Sequence, residues 1–381
     1  MYNIQLMNKI AKVGTDIFDK SKYNVGEDTA NPSGILVRSA DLHEMDFAPE
    51  LKSIARAGAG VNNIPCDKCA ENGIVVFNTP GANANGVKEI VIAALLLASR
   101  DIIGGIEWVN TLAGDADAAK KVEKGKSQFA GGEIMGKTLG VIGLGAIGRL
   151  VANAAVDLGM NVIGYDPYLS DAAAALLKPE VKKASGYDDV YACADYITLH
   201  IPATPETKGM FSSEVFAKLK NGVKLLNFSR ADLVCSADLI AAIESGKVAK
   251  YIVDFPTADI IGVHKNIIAV PHLGASTEES EDNCAVMAVK QTIDYLENGN
   301  IVNSVNYPRV TLERSGKTRI CVLSRNADNA AIASSIGEYA ATASANKGEY
   351  GYAIYDVDTP ASAIDFGAIS NIPGVIRVFS V

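Results

Sequence analysis

The 381-residue sequence lacks the features that mark extracellular, membrane and nucleic-acid-binding proteins. Its six cysteines are too few for a disulfide framework in a chain of this length. The longest apolar stretch, near residues 90–98, falls well short of the ~20 residues that cross a bilayer. Lysine and arginine number 35 against 44 acidic residues, so there is no excess of positive charge for a phosphate backbone. We therefore expect neither nucleic acid nor membrane as a partner.

The sequence also lacks the residue spacing of a metal site and the segments of a secretory signal. Cys66 and Cys69 have Cys-x-x-Cys spacing, but no second pair or histidine cluster completes a zinc site, so we expect no metal. Residues 1–11 lack the charged segment, apolar stretch and cleavage site of a signal peptide. We therefore expect a cytoplasmic globular protein, and the length suggests about two or three domains.

Short β-branched runs alternate with alanine-rich helical patterns up to about residue 305, which favours parallel βαβ units. The first series predicts strands at 35–38, 51–55 and 74–78 and a helix at 85–103. The second predicts strands at 139–142, 161–165, 196–200, 224–228, 251–254 and 267–270 and a helix at 146–158. The fold class is therefore α/β, with two Rossmann-like, doubly wound parallel-sheet domains. A helix at 277–298 would return the chain to the first of them.

The last part of the chain follows a different pattern. The polar segment 307–317 contains Pro308 and predicts a linker. Residues 318–381 then read strand, helix, strand, strand, helix, strand, which is the order of a ferredoxin-like α+β domain. The predicted domains are residues 1–100 with 276–306, residues 101–275, and residues 318–381. The last is too short for catalysis of its own and suits regulation or assembly.

A glycine turn follows the predicted strand 139–142 and opens the predicted helix, as dinucleotide binding requires. Gly143 permits the tight turn, Gly145 lets the backbone approach a pyrophosphate, and Gly148 lets the helix pack on the strand. The first helical residues, Ala146 and Ile147, place their N–H groups at the positive end of the helix.

Asp166 adds a second signal, because it ends the next predicted strand 18 residues beyond Gly148. A carboxylate there accepts hydrogen bonds from the adenosine ribose and repels a 2′-phosphate. The two signals together predict that the cofactor is NAD and not NADP.

Histidine is scarce, with only four in the chain, at positions 43, 200, 264 and 272. Moving a hydride also requires moving a proton, and histidine is suited to that at neutral pH. His272 follows a predicted strand at its carboxyl end, where open sheets bind ligands, and is our candidate acid–base. His200, shortly before Pro202 at another strand end, is assigned to the cofactor cleft. We interpret His43 and His264 as solvated loop residues.

Two further positions complete a catalytic hypothesis. Arg230 follows the predicted strand 224–228, and its guanidinium can hold a substrate carboxylate through two parallel hydrogen bonds. Asp254 and Asp259 flank the loop after the next strand, and either could hold the His272 ring and favour its protonated form.

At this point the sequence resembles the D-isomer-specific 2-hydroxyacid dehydrogenases. The matching segments keep their order through most of the chain: Arg38 with Ser39, residues 58–64, residues 73–76, the glycine turn, residues 200–202, residues 227–230, and residues 271–272. The resemblance implies an Arg-Glu-His triad in which Arg230 and His272 are the first and last members. It also implies cofactor contacts from Ser229, Asp254 and Gly274.

The middle member of that triad departs from the family pattern. A Glu is expected five residues after the strand-end Asp, and this chain has Asp259 there if no gap is assumed. Aligning residues 255–257 on a Phe-Pro-Thr variant places Ala258 there instead. Asp259 is preferred because a carboxylate preserves the pairing with His272.

The resemblance also implies a substrate site. Backbone amides of Ala59 and Gly60 would meet the substrate carboxylate, while Arg38, Ser39 and Asn83 would face the rest of the molecule. Arg38 would contact a phosphate. Lys88 is either a second cation for that phosphate or a solvated helix residue.

The activity implied is NAD-dependent oxidation of D-3-phosphoglycerate to 3-phosphohydroxypyruvate, the first step of serine synthesis. Alternatives within the family are a glyoxylate or hydroxypyruvate reductase and a D-lactate dehydrogenase, and an NAD-sensing corepressor or scaffold is an alternative of another class. The family implies a homodimer or homotetramer. The tail resembles an ACT regulatory domain, but Ala327-Asp328-Asn329 follows Asn326 where Pro-Gly is usual. Serine inhibition and effector-free assembly both remain open.

Overall fold

The structure, a computed structural model, describes residues 1–381 and divides into two units, each with its own core. One unit comprises Met1–Asn83 and Glu278–Val381, and the other Ala84–Thr277. None of its helices combines the length and apolarity that a membrane crossing requires.

Residues 1–83 form a five-stranded parallel sheet. Its elements are β1 (Tyr2–Leu6), α1 (Lys12–Thr15), β2 (Tyr23–Gly26), β3 (Gly34–Val37), β4 (Ser53–Arg56), α2 (Cys66–Glu71) and β5 (Val75–Phe77). The strand order is β2-β1-β3-β4-β5, so the winding direction reverses between β1 and β3. Ligands of doubly wound sheets bind beyond the carboxyl ends of the strands at such a reversal. The segments after β1 and β3 are therefore placed to form a site.

The second unit contains a seven-stranded parallel sheet. Its elements are α3 (Ala84–Ser99), α4 (Ile102–Asn110), α5 (Ala118–Gly125), β6 (Thr138–Ile142), α6 (Ala146–Asp157), β7 (Asn161–Tyr165), α7 (Asp171–Ala174), β8 (Lys182–Lys183), α8 (Tyr187–Cys193), β9 (Tyr196–Leu199), α9 (Ser213–Lys218), β10 (Val223–Asn227), α10 (Ser236–Glu244), β11 (Val248–Val253) and β12 (Ile267–Ala269). The order β12-β11-β10-β9-β6-β7-β8 reverses between β6 and β9. The glycine turn follows β6 and His200 follows β9, so both lie at this reversal.

Helix α3 belongs to the second unit in the structure, although the sequence-based ranges placed residues 84–100 in the first domain. Its buried side chains, including Val91, Leu95 and Ala98, join the core formed by the seven-stranded sheet. It packs against α6, β10 and β11.

The chain returns to the first unit through α11. The remaining elements are α11 (Glu278–Asn298), β13 (Thr318–Arg325), α12 (Asn329–Ile336), β14 (Ala341–Lys347), β15 (Tyr350–Val357), α13 (Phe366–Ser370) and β16 (Val375–Ser380). Helix α11 packs on β3, β4 and α1. The last four strands form an antiparallel sheet in the order β14-β15-β13-β16, so the predicted small α+β domain is confirmed.

Both faces of this antiparallel sheet are buried. On one face, Ile320, Val322 and Tyr355 join the core that contains Ile332 of α12 and Ile369 of α13. On the other face, Cys321, Leu323, Tyr352 and Ile354 share a core with Ile4 and Leu36 of the parallel sheet. The C-terminal domain is thus continuous with the first sheet.

The segment predicted as a polar linker is held against the first unit. Tyr307 is fully buried and donates a hydrogen bond to the carbonyl oxygen of Ala70 at 2.7 Å. Val310 is also buried and forms a β-bridge with Ile301. The linker prediction was wrong for these residues. The segment is mostly polar, but its two buried side chains, Tyr307 and Val310, hold it against the first unit.

Candidate active site

The three glycines of the turn have different surroundings: two are packed tightly against the protein, and one faces open space. Gly143 has φ +90°, and a Cβ on it would lie 2.4 Å from the His200 carbonyl oxygen. A Cβ on Gly148 would lie 1.9 Å from the Gly143 carbonyl oxygen. A Cβ on Gly145 would meet nothing within 4 Å. Packing of the chain on itself therefore requires Gly143 and Gly148, whereas Gly145 borders a vacant volume.

The amino end of α6 is open to an anion. Gly145 is its N-cap, and no side chain caps the helix. By helix geometry the first N–H groups, those of Ala146 and Ile147 among them, have no partner within the helix. Such an end attracts phosphate groups through its N–H donors and the helix dipole.

Asp166 lies beside the turn. One carboxylate oxygen accepts a hydrogen bond from the Leu144 N–H at 2.9 Å, and the other accepts one from the Tyr168 N–H at 2.9 Å. The carboxylate thus links the end of β7 to the glycine turn. The open volume at Gly145, the uncapped helix and this carboxylate fit the pyrophosphate and ribose of a dinucleotide.

His200 is a half-buried residue whose Nδ1 atom is enclosed. Its Nε2 lies 2.9 Å from the Thr198 hydroxyl, its Nδ1 has no hydrogen-bond partner, and burial lowers the pKa of His200 to about 3. Pro202 follows at an exposed position. Ser229 donates a hydrogen bond from its hydroxyl to the Leu199 carbonyl oxygen at 2.7 Å, which ties the end of β10 to the end of β9. These residues shape the wall beside the glycine turn.

Arg230 and His272 meet on one aromatic ring. The guanidinium carbon of Arg230 lies 5.1 Å from the centroid of the Phe255 ring, a cation–π distance. The His272 ring centroid lies 4.2 Å from the same Phe255 centroid. Asn227 fixes the Arg230 backbone by donating to its carbonyl oxygen at 2.8 Å. Arg230 follows β10, Phe255 follows β11 and His272 follows β12, so the carboxyl ends of these strands bring the predicted guanidinium and imidazole against one ring.

Asp254 holds the loop that carries His272. Its two carboxylate oxygens accept hydrogen bonds from the N–H groups of Leu273 at 2.7 Å and Gly274 at 2.8 Å. Burial raises the pKa of Asp254, opposed by these two N–H groups and by the charge of His272. His272 itself has φ +51°, a left-handed conformation uncommon outside glycine. The Asp254 bonds therefore fix a strained loop, and with it the direction of the His272 side chain.

The predicted pairing of Asp259 with His272 is corrected by the structure. Asp259 is exposed, and hydrogen bonds from Thr257 and Ser236 lower its pKa. The loop after β11 turns its carboxylate toward the start of α10. Of the two carboxylates, Asp254 is the one whose pKa is raised by burial and lowered in part by the charge of His272.

The predicted substrate residues of the first unit surround its strand reversal. The side-chain oxygen of Asn8, just after β1, accepts hydrogen bonds from the N–H groups of Arg38, Ser39 and Ala40 at 3.3, 3.0 and 2.8 Å. Asn63 donates from its side-chain amide to the Ala40 carbonyl oxygen at 2.7 Å. The segment after β3 is thus tied to both neighbouring strand ends.

The Ala59–Gly60 loop after β4 is fixed from β5. Asn78 donates from its side chain to the Ala59 carbonyl oxygen at 2.7 Å, and the Thr79 N–H donates to the Gly58 carbonyl oxygen at 3.1 Å. These bonds occupy carbonyl groups and leave the predicted amides of Ala59 and Gly60 in an exposed loop.

The two predicted cations have partners within the protein. Arg38 Nη2 lies 2.7 Å from Glu281 Oε1 of α11. Lys88 donates to the side-chain oxygen of Asn85 at 2.7 Å and lies 3.7 Å from Glu89. Asn83 ends the first unit at a half-buried position. A phosphate role for Arg38 or Lys88 therefore remains a prediction that has to account for these partners.

Sequence reasoning missed Phe255, Asn8 and Glu281. Asn8 lies two residues after β1, a half-buried strand whose interrupted apolar pattern gave no strand prediction, so it had no signal comparable with that of Arg38. Phe255 stood in the loop already singled out for its two aspartates. Glu281 had no local signal, because its partner lies near the other end of the chain.

Gly145→Ala tests the dinucleotide site. Since a Cβ at Gly145 meets no protein atom, we expect a wild-type melting temperature, but a loss of about tenfold or more in NADH affinity because the methyl group enters the pyrophosphate volume. Isothermal titration with NADH measures this. Gly186→Ala is the matched control, since its Cβ would also meet nothing and its φ is extended. Equal NADH affinity in the two variants would contradict the assignment.

The fold and site together define a doubly wound, dinucleotide-binding protein with a second α/β unit. Residues 92–274 match the family of D-isomer specific 2-hydroxyacid dehydrogenases, NAD binding domain. These residues are thus similar to the NAD-binding domain of this family, and NAD is the cofactor that the site fits.

Several relatives of known name share one activity in their names. The chain is 40% identical over 257 residues to D-3-phosphoglycerate dehydrogenase of Mycobacterium leprae, covering 65% of this chain and 46% of the relative. It is 31% identical over 312 residues to the Bacillus subtilis enzyme of the same name, covering 80% of this chain and 57% of the relative. The chain therefore spans about half the length of these relatives. The NAD⁺-bound 3-phosphoglycerate dehydrogenase of Entamoeba histolytica has a similar structure, with TM-score 0.63, 26% identity, and coverage of 80% and 98%.

Proposed function

We propose that this protein oxidises D-3-phosphoglycerate to 3-phosphohydroxypyruvate with NAD, the first step of serine synthesis. The observation that carries the proposal is the meeting of Arg230 and His272 on Phe255 at the carboxyl end of the sheet that holds the dinucleotide turn. One group binds a carboxylate and the other moves a proton, which are the two tasks that oxidation of a 2-hydroxy acid sets for the protein. The names of the relatives supply the substrate.

In the proposed mechanism Arg230 orients the substrate. Its guanidinium donates two hydrogen bonds to the substrate carboxylate, and Phe255 limits its movement. NAD, when bound, supplies the acceptor for the hydride of the carbinol carbon.

His272 acts as the base. Its imidazole accepts the proton of the 2-hydroxyl group, so that charge does not build up on the substrate oxygen. Protonation converts the His272 ring to an imidazolium, and the negative charge of the Asp254 carboxylate stabilises it. Asp254 also holds the loop through Leu273 and Gly274, so we assign it as a positioning residue.

One observation favours a second candidate, a glyoxylate or hydroxypyruvate reductase. Arg38, the predicted phosphate ligand, is paired with Glu281 at 2.7 Å. A carboxylate there disfavours a phosphate and is compatible with an uncharged hydroxymethyl group.

A substrate panel tests the proposal. With NADH, we expect 3-phosphohydroxypyruvate to be reduced with a kcat/KM about tenfold or more above hydroxypyruvate, glyoxylate and pyruvate, because a charge-assisted hydrogen bond to phosphate contributes about 1.5–3 kcal/mol. Absorbance at the NADH band measures each rate. Preference for hydroxypyruvate would replace the proposal with the second candidate. Tight NADH binding without turnover of any 2-hydroxy acid would favour a sensor or scaffold.

We further propose a homodimer or homotetramer. The support is helix α4, which has no buried residue although it is strongly apolar. Ile102, Ile106 and Val109 expose 41%, 57% and 46% of their surface. Light scattering on the eluted protein should then give a mass of two or four chains of 40.0 kDa, and a single-chain mass would reject the proposal.

A further inference from the structure

An ion pair lies near the carboxyl end of β3, where the strand order of the first sheet reverses. Arg38 directly follows β3, and Glu281 lies in the first turn of α11. Their Nη2 and Oε1 atoms are 2.7 Å apart, and the side chains are 40% and 41% exposed. An exposed pair of this kind is weak and can be opened by a competing anion.

A second arginine lies in the same place. The Arg56 Nε donates to the Arg38 carbonyl oxygen at 3.0 Å, and a Cβ on Gly58 would lie 2.4 Å from Arg56 Nη1. Burial raises the pKa of the Cys284 thiol, one turn beyond Glu281 on α11, and the positive charges of Arg56 and Arg38 oppose that rise. Two cations and one carboxylate therefore share the end of β3 and β4, where the topology places a ligand.

We infer that Glu281 is a specificity-determining residue whose carboxylate competes with the distal anionic group of the substrate for Arg38. The inference rests on the proposed function only for the identity of the substrate. A phosphate must displace Glu281 to bind Arg38 and is then repelled by the displaced carboxylate. An uncharged hydroxymethyl group leaves the ion pair closed. Glu281 thus lowers the preference for the phosphorylated acid without acting on the reacting carbon.

Glu281→Gln separates the charge from the shape of this side chain. We expect the variant to bind D-3-phosphoglycerate about two- to fivefold more tightly than wild type, the range set by an exposed ion pair, with D-glycerate affinity unchanged. Isothermal titration of both acids into protein saturated with NADH measures binding without turnover. Glu279→Gln is the matched control, because it removes the same charge from the same helical turn at an exposed position without a partnership with Arg38.

The outcomes separate this inference from the proposed function. A selective gain for D-3-phosphoglycerate in Glu281→Gln, absent in Glu279→Gln, supports it. An unchanged or lower ratio of the two affinities overturns it and assigns Glu281 the task of orienting Arg38. If wild type binds neither acid, the proposed substrate is wrong, and inorganic phosphate becomes the probe. The inference then still requires tighter phosphate binding by Glu281→Gln, and equal binding overturns it.

Discussion

Asparagine in place of His272 is expected to lower kcat for the oxidation by about 10² to 10⁴ while the protein stays folded. Asparagine is the suitable replacement because residue 272 has φ +51°, which asparagine tolerates better than most residues. Its side chain cannot accept the hydroxyl proton at neutral pH. The hydrogen bonds from Leu273 and Gly274 to Asp254 use backbone N–H groups and therefore persist in the variant.

Steady-state rates and melting temperature are measured together. KM should change little, because the Arg230 guanidinium is still present to hold the substrate carboxylate. His264→Ala serves as the control, since the His264 ring accepts a hydrogen bond from the nearby Asn266 N–H and has no part in the proposed mechanism, so kcat should stay near wild type. A turnover number within a few-fold of wild type in His272→Asn would end the assignment of His272 as the base.

Methionine in place of Arg319 is expected to lower the free energy of unfolding by about 3–5 kcal/mol. Arg319 and Asp356 are both 0% exposed and are joined by two hydrogen bonds at 2.7 and 2.8 Å. Arg319 also donates to the carbonyl oxygens of Asn298 and Leu312. The substitution leaves a carboxylate buried without its cation at the junction between α11 and the C-terminal sheet.

The control is Arg325→Met in the same strand. Arg325 is paired with Glu349, but the two side chains are 46% and 42% exposed, so its loss should cost less than about 1 kcal/mol. Urea unfolding followed by circular dichroism compares the two variants. Equal, small shifts in the urea midpoint would contradict the buried pair.

Acidic pH should reduce the difference in urea midpoint between wild type and Arg319→Met. Burial raises the pKa of Asp356, but the hydrogen bonds and charge of Arg319, together with Ser315, outweigh burial and hold the pKa below its ordinary value. A carboxyl group whose pKa is lowered by folding contributes its full stability above its pKa in the unfolded chain, about 3.9. That stability is lost as the pH falls through the pKa in the folded protein. The gap in urea midpoint should therefore narrow below about pH 4.

Sequence patterns predicted correctly those elements that are determined by residues close together in the sequence. The strand at residues 161–165 was predicted with its observed bounds, and the spacing of the glycines and Asp166 located the dinucleotide turn. Strand β1 was missed because Asn3 and Gln5 interrupt its apolar pattern. Their side chains donate to the carbonyl oxygens of Ala30 and Glu27, so the polarity is satisfied within the sheet's own connections.

Errors arose where distant residues decide the structure. The helix predicted over residues 85–103 ends at Ser99, whose carbonyl oxygen accepts a hydrogen bond from the Gly132 N–H. Asp259 was aligned with the catalytic carboxylate by spacing and preferred over Ala258 because it is a carboxylate, but the loop turns it toward Ser236. The Arg38–Glu281 pair joins segments that lie far apart in the sequence and could not be derived from either segment.

A structure of the protein with NADH and D-3-phosphoglycerate tests the central claim most directly. We expect the substrate carboxylate within hydrogen-bond distance of the Arg230 guanidinium and the 2-hydroxyl within hydrogen-bond distance of the His272 imidazole, with both side chains still packed on Phe255. A substrate bound elsewhere, or an imidazole that points away from the 2-hydroxyl, would contradict the account.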